Sequence, residues 1–545
     1  MADLLQSVSS KRHGKILVMF KWIRHCALIA VTSTLFGCSM LPPAVPGVTL
    51  PVLEQRTLTT ALPLAEAQET SLGQAISPMV LEHPGLSGIV ALTDALEAFA
   101  ARLMLVENAE RTLDVQYYIW RNDETGRLLL NAIHDAAERG VRVRLLLDDL
   151  NSAPLEGVLA HLHSHPLIEV RMFNPFPARS SRTLGFITDF NRANRRMHNK
   201  SLTADNQATI IGGRNIGDSY FGAGEGFLFT DLDVLAIGPV VHDVSDDFDR
   251  FWSSPSAYPL HQLIDTRHKR SRYQPKSVAN MLSSNAQLLA YVDDVMATNL
   301  ATNVIQGEVE FLWARTTMVS DDPLKGLGQA EEQDMIVYQL HKAIGEPQHY
   351  LELISPYFVP TRWGVEALID LAERGVEIII LTNSLEATDV AIVHAGYAKW
   401  RKKLLRAGIR IFEKRQILPE DPFLDDDPQL ARLGSSAASL HAKTFAIDGE
   451  RVFVGSFNFD PRSALLNTEL GFVIDSPELA QMVDQTFTER MPMQAYELQL
   501  SPAGRLYWLE RKPGHIIRHE HDPYTTRMQR LSMRFFSWLP IDWLL

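Results

Sequence analysis

Polar and apolar residues alternate from Thr444 to Ile447 and again from Arg451 to Val454, and the two runs meet at Asp448-Gly449. Such alternation on either side of Asp-Gly predicts a two-residue β-hairpin, because both turn residues must take a left-handed conformation that Asp and Gly tolerate. Counting back from that turn sets residue 441 opposite residue 456, and the same count about Asp205-Asn206 sets His198 opposite Gly213. Ahead of the first hairpin, Ala95 to Asn108 has helical periodicity with Asp94 placed as its cap, and Thr112 to Trp120 reads as a buried strand. Arg127 to Arg139 follows as a helix stopped at Gly140, then Val141 to Asp148 as the next strand. The second half repeats the rhythm with a strand from Tyr350 to Val359, a helix from Val365 to Arg374, Gly375, and a strand from Val376 to Thr382. Ala137-Glu-Arg-Gly-Val141 even matches Ala372-Glu-Arg-Gly-Val376, so the chain is a duplication. The expected fold is α/β, with parallel strands in the sheet.

The repeat carries candidate chemistry. Met197-His198-Asn199-Lys200 through Asp205 to Gly212-Gly213-Arg214-Asn215 and Leu440-His441-Ala442-Lys443 through Asp448 to Gly455-Ser456-Phe457-Asn458 both read H-x-K-x4-D-x6-G-[GS]-x-N. A histidine and a lysine two apart share one face of a strand. Each hairpin end then gathers an imidazole, an ammonium, a carboxamide and a turn of small residues. A phosphodiester displaced in line needs a nucleophile on one side of phosphorus and an acid for the leaving oxygen on the other, and two facing histidines supply both. Lys200, Lys443, Asn215 and Asn458 are the donors expected to hold the phosphate oxygens. Gly212, Gly213, Gly455 and Ser456 are expected to let backbone approach the phosphate. Asp205 and Asp448 complete the motif, either within the catalytic set or as ordinary turn residues.

The doubled H-x-K-x4-D motif resembles the phospholipase D superfamily. Within it, the stretches Leu113 to Trp120, Arg142 to Asp149, Asp231 to Pro239, His394 to Lys403 and Gly455 to Ser463 resemble bacterial cardiolipin synthases, most closely the C type. The resemblance covers residues 86 to 545. It implies two phospholipase D-like α/β/α sandwich domains with mixed, largely parallel sheets, related by pseudo-twofold symmetry about one active site. It also implies a transient phosphohistidine, with His198 attacking and His441 as the acid, and no cofactor. The implied activity moves a phosphatidyl group onto phosphatidylglycerol, from phosphatidylethanolamine or a second phosphatidylglycerol. By the same resemblance Asp233 and Glu469 are the carboxylates that fix the histidine tautomers.

Composition adds limits. A net charge of -13 over 545 residues argues against a generic nucleic-acid binder. Lys11, Arg12, Lys15, Lys21 and Arg24 precede an apolar run from Cys26 to Gly37, which reads as a signal peptide; Leu35-Phe36-Gly37-Cys38 resembles a lipobox that would lipidate Cys38, and Met19 offers an alternative start. An uncleaved membrane anchor is the other reading of this segment. Both place the protein at the bacterial cell envelope, on a membrane surface. Of the two cysteines, Cys26 would leave with the signal, so no disulfide framework is expected. His161, His163 and His165 alternate, but no cysteine or acid completes a ligand set, and no metal site is assigned. Arg195 and Arg196 are candidates for headgroup attraction, and Arg214 and Arg462 for phosphate binding.

The expected organisation is a signal segment over 1–38, a stiff Pro-rich tether over 39–85, domains over 86–255 and 346–500 separated by an insertion on the rim over 256–345, and a basic, aromatic tail over 501–545. That tail either lies on an anionic membrane or docks on the protein's own core. Three alternatives remain open at this level: a hydrolytic phospholipase D, a nuclease of the superfamily, and a lipid-binding protein that keeps the fold without catalysis.

Overall fold

The computed structural model describes residues 50, 52–53, 58–179, 181–223, 228–270, 277–388, 390–416, 438–539, 542 and 545. The signal segment, Cys38 and the start of the tether lie outside the described residues. The chain divides into two units. The smaller includes Pro177–Phe190, where Ser181 accepts the Leu184 N–H and caps the helix Arg182–Thr188. The larger, Pro51–Phe176 with Asn191–Leu545, holds everything that follows.

Its first half contributes strands β1 (Ser87–Leu92), β2 (Thr112–Tyr117), β3 (Arg142–Asp148), β4 (Ile168–Phe173), β5 (Ser201–Ala204), β6 (Ala208–Gly212), β7 (Leu228–Thr230), β8 (Asp233–Ile237) and β9 (Ala257–Pro259). The remainder contributes β10 (Leu312–Ser320), β11 (Tyr350–Ile354), β12 (Glu377–Asn383), β13 (Arg410–Lys414), β14 (Ala438–Leu440), β15 (Thr444–Ile447), β16 (Arg451–Gly455), β17 (Leu470–Asp475), β18 (Ala495–Leu500), β19 (Leu506–Lys512) and β20 (His515–His519). Among the described residues 18 of these strands form one continuous sheet. Its pairings run β9-β4-β3-β2-β5-β6-β8-β1 and then, across the β1–β10 contact, β10-β17-β16-β15-β11-β12-β13-β18-β19-β20. Read outward from β1 and β10, the two sides have the same order.

Within this sheet, parallel pairing is confined to β2-β3-β4 and β11-β12-β13, where helices make the crossovers. The sheet is therefore mixed, with more antiparallel pairing than the β-α-β rhythm alone suggested. Asp94 caps the helix Ala95–Asn108 through the N–H groups of Leu96 and Glu97. Asp123 starts the next helix, Glu124–Glu138, three residues earlier than its apolar periodicity announced. Gly140 and Gly375, at φ 104° and 96°, take the left-handed conformation that ends each crossover helix.

Each hairpin contains one residue more than predicted. Gln207 N–H closes onto the Ala204 carbonyl and Glu450 N–H onto Ile447, as a two-residue turn requires. The ladder then pairs Ala204 with Ala208 and Ile447 with Arg451, so Gln207 and Glu450 are bulged out. The pairings of 198 with 213 and of 441 with 456 thus shift by one residue.

The tether is not uniformly extended. Thr70 accepts the Gly73 N–H and starts a helix, Ser71–Glu82, whose Leu72, Ile76, Met79 and Val80 pack on the first core. The described part of residues 256–345 likewise belongs to the body. Leu288, Val295, Leu300 and Ala301 enter the same core, and β10 joins the two sides of the sheet.

Candidate active site

The two histidines enter the site on extended segments that cross between halves. His198 N–H donates to the Thr468 carbonyl at 2.8 Å, and His441 N–H to the Thr230 carbonyl at 2.8 Å, where β14 pairs in parallel with β7. Each histidine is thereby set beside the acid that follows its contact strand in the opposite half. His198 Nδ1 lies 2.7 Å from Glu469 Oε2, and His441 Nδ1 lies 2.5 Å from Asp231 Oδ2. With Nδ1 committed to a carboxylate as donor, Nε2 is left as the basic nitrogen of each ring.

Four basic groups share this one site. Burial is the main cause that depresses His198 well below the usual 6.5, with Lys200, Lys443 and His441 adding to it. Burial also lowers Lys200 to about 7, against Glu469 and together with Lys443. Burial and Lys443 lower His441 too, while Asp231 pulls it back up. Asp231 itself, despite burial, is held below the usual carboxylate range by His441, Lys443 and Arg214. Burial lifts Glu469 to about 7 against Lys200. The two pairs therefore differ: His198 is strongly biased to the neutral ring, and His441 faces an ionised carboxylate.

The lysines grip their own segments. Lys200 Nζ donates to the His198 carbonyl at 2.5 Å, and Lys443 Nζ donates to the His441 carbonyl and lies 3.0 Å from His441 Nδ1. Tyr118 packs edge-on to His198 at 4.8 Å, and Tyr220 and Phe229 pack on His441 at 5.4 and 5.0 Å.

Several sequence-derived assignments change. Asp233 does not meet a histidine; it sits between Arg102 at 2.8 Å and Arg214 at 3.4 Å, and its partner role falls to Asp231 two residues earlier. The register explains why: Gly212 pairs with Asp233 and Gly455 with Gly471, so the counterpart of Glu469 is Asp231. Gly213 does not offer open backbone to a phosphate. A Cβ there would stand 2.1 Å from Asp231 Oδ1, so its missing side chain makes room for the carboxylate. At the matching position the Ser456 hydroxyl donates to Glu469 at 2.5 Å.

Asp205 and Asp448 lie at the far ends of their strands, beyond β5 and β15, some 20 Å of extended chain from the histidines. Asp205 accepts the N–H groups of Glu110, Arg111 and Thr112, and Asp448 those of Gln348, His349 and Tyr350. They pin the hairpin turns to the starts of β2 and β11 and cannot touch phosphorus. Asn215 accepts from Ile119 N–H and donates to the Tyr220 hydroxyl, whereas Asn458 has a buried Oδ1 with no partner among the described residues. Arg196 pairs with Asp148, Arg214 donates to the Leu92 and Thr93 carbonyls, and Arg462 holds Asn194. Arg195 donates to the Lys325 and Leu465 carbonyls. All four guanidinium groups are engaged in holding the fold.

Sequence reasoning missed the support beneath Glu469. Its N–H donates to Asp321 Oδ2 at 2.9 Å, and Lys325 bridges Asp321 and the Ser463 carbonyl at 2.8 and 2.9 Å. Asp321 and Lys325 follow β10, in the stretch that the sequence suggested was an insertion and where no motif marks them. A triad of His394, Glu413 and Asp522 has ligand atoms close enough for a metal, but Arg401 already pairs with both carboxylates at 2.8 and 2.9 Å, so its charge is met internally.

A continuous sheet with the same strand order on both sides and two crossed histidine–carboxylate pairs at its centre defines a duplicated phospholipase D-type protein. Residues 103–252 and 340–491 match the family described as cardiolipin synthase, phospholipase D-like domain, and the chain belongs to that family. It is 49% identical over 474 residues to cardiolipin synthase C of Escherichia coli K12, covering 87% of this chain and 99% of that protein. It is 25% identical over 428 residues to a cardiolipin synthase of Staphylococcus aureus Mu50, covering 77% of this chain and 71% of that protein. A phosphatidylserine synthase structure from Haemophilus influenzae shares the fold, with a TM-score of 0.52 at 14% identity, over 87% of this chain and 100% of that one.

Proposed function

We propose that the protein is a phosphatidyltransferase that makes cardiolipin, taking a phosphatidyl group from phosphatidylethanolamine or a second phosphatidylglycerol and delivering it to a glycerol hydroxyl of phosphatidylglycerol. The observation that carries this reading is the pair of crossed contacts, His198 with Glu469 and His441 with Asp231, in a member of a cardiolipin synthase family. In the first step His198 Nε2 attacks phosphorus, the bond to the leaving alcohol breaks, and the His441 imidazolium protonates the departing oxygen. The asymmetry of the pairs supports this division of roles, since an attacking ring must be neutral and a donating ring protonated. In the second step the acceptor hydroxyl returns a proton to His441 as its oxygen attacks phosphorus and the phosphorus–nitrogen bond breaks. Lys200 and Lys443 stabilise charge on the non-bridging oxygens, and the Asn458 carboxamide, whose Oδ1 has no partner among the described residues, offers a further polar contact.

The enzyme works at a membrane surface in this reading, in the bacterial envelope and held there by a lipidated Cys38. No helix among the described residues is long and apolar enough to cross a membrane. The helix Arg527–Phe536 buries Met533 against Leu385 and Ala395. Its opposite stripe, continued past its end, leaves Met528, Leu531, Phe535 and Trp538 between 58 and 87% exposed, with Arg527 and Arg534 exposed along one flank. An apolar stripe edged by arginine suits the interface of an anionic bilayer. The deciding experiment incubates the protein with labelled phosphatidylglycerol, with and without phosphatidylethanolamine, and separates the lipids. Cardiolipin is the expected product; phosphatidic acid alone would convert the reading to a hydrolase, and no lipid product would remove it.

A further inference from the structure

The duplication leaves one half hollow where the other is plugged. In the first half Leu146, Phe173, Met197, Phe248 and Trp252 belong to one buried cluster, with Phe248 stacked on Trp252 at 5.8 Å. Strand register matches Leu146 with Leu381 and Phe173 with Lys414, and the repeated motif matches Met197 with Leu440. The covering helices open on Pro239 and Pro477, so Phe248 matches Thr486. The second helix then passes through a π-turn at Thr486–Arg490, which adds one residue and matches Trp252 with Met491. All five second-half counterparts line a cavity of about 160 Å³. Two aromatic side chains have become a threonine and a methionine, and the space they would fill is open.

The cavity adjoins the reacting groups. Leu440 and Ala442, the neighbours of His441 on either side, form part of its wall, as do Asp231 and Phe229. Ile354, Leu381, Leu479 and Val483 make the rest mainly apolar, and Lys414 closes against Gln494 with a 2.6 Å hydrogen bond. A space of this size accommodates roughly six hydrocarbon carbons, and its wall is more apolar than polar although Arg214, Thr93, Thr230 and Thr444 also reach it. A π-turn inside a helix is frequent where a site has been built.

We propose that this cavity receives part of an acyl chain of the lipid handled at the His441 side, so that the two halves, alike in their histidines, hold their lipids differently. This rests on the phospholipid reading above. The reading predicts selectivity for acyl length on one side of the reaction only, because Phe248 and Trp252 fill the equivalent place in the first half.

The test uses phosphatidylglycerol with a photoreactive diazirine in one acyl chain. Irradiation of the full-length protein in detergent micelles should label the 477–494 segment, and Thr486→Phe/Met491→Trp, which restores the first half's aromatic pair, should abolish that label. The same variant should lower the ratio of kcat/KM for dioleoyl over dihexanoyl phosphatidylglycerol at least about tenfold, the discrimination a few methylenes confer in an apolar pocket. Met491→Ala, which widens the space, should raise that ratio. Should the double variant fail to fold, labelling of the unaltered protein and Met491→Ala still decide. Label confined to other segments in a protein that makes cardiolipin would overturn the cavity's role. Label at 477–494 in a protein that makes none would leave the cavity standing and remove the transferase reading.

Discussion

Asp231 and Asp233 show how closely two neighbouring carboxylates can divide structure from chemistry. Asp231 faces His441, and removing its charge as Asp231→Asn should cost at least about a hundredfold in transfer, since an amide neither fixes the tautomer nor stabilises the imidazolium. The pH profile gives the sign. His441 must be protonated to donate, and loss of an anion lowers its pKa, so the basic limb should move to lower pH. The acid limb, which reports His198 becoming protonated, should lie well below 6.5 because burial and the two lysines disfavour that charge. Asp233→Asn should act on stability instead, by roughly 3 kcal/mol in chemical denaturation, because it leaves the buried Arg102 guanidinium without its anion. Gly213→Ala should cost activity without any loss of a polar group, by driving a methyl into Asp231.

Much of this was legible in the sequence, because H-x-K-x4-D occurs twice and each copy sets an imidazole and an ammonium on one strand face. The histidines, the lysines and Glu469 fell into place directly. Asp231 did not, because the choice between two acids two residues apart depends on the register of β6 with β8, which pairs Gly212 with Asp233 and which no local pattern sets. Asp321 and Lys325 act through three-dimensional contact alone and carry no local pattern.

At the scale of elements, the hairpins are braced at the end opposite to the chemistry. Asp205 accepts three backbone N–H groups in a buried setting, so Asp205→Ala should lose roughly 3 kcal/mol of stability while the folded fraction keeps its turnover. Asp448 makes the matching contacts at the surface, and Asp448→Ala should cost less. The helix Arg527–Phe536 has the opposite character, with one face committed to the body and the other without a protein partner among the described residues. Leu531→Ser combined with Phe535→Ser should leave the melting temperature nearly unchanged and weaken sedimentation with phosphatidylglycerol vesicles at least about tenfold, as expected for two exposed apolar side chains of about 1 kcal/mol or more each. Equal binding to neutral and anionic vesicles would remove the role given to Arg527 and Arg534. The sequence announced this tail as basic and aromatic; that it both docks through Met533 and presents a stripe outward became clear only from its packing.

The whole molecule joins its halves through β1 and β10 and through the exchange of acids. Neither half contains a complete histidine–carboxylate pair of its own, so neither should be active alone. The parallel cores around β2-β3-β4 and β11-β12-β13 were foreseeable from their β-α-β rhythm, while the single sheet joining them was not, since nothing local to β1 and β10, equivalent strands of the two sides, announces that they pair with each other.

Phosphoenzyme trapping on a labelled phosphatidyl ester of p-nitrophenol, whose leaving group departs without an acid, tests the crossed-pair account most directly. With His441→Ala, which removes the acid but leaves the His198 nucleophile with Glu469, an acid-labile, alkali-stable label should accumulate and map to His198, and with His198→Ala no label should form. A label on His441, or full transfer activity in either variant, would contradict it.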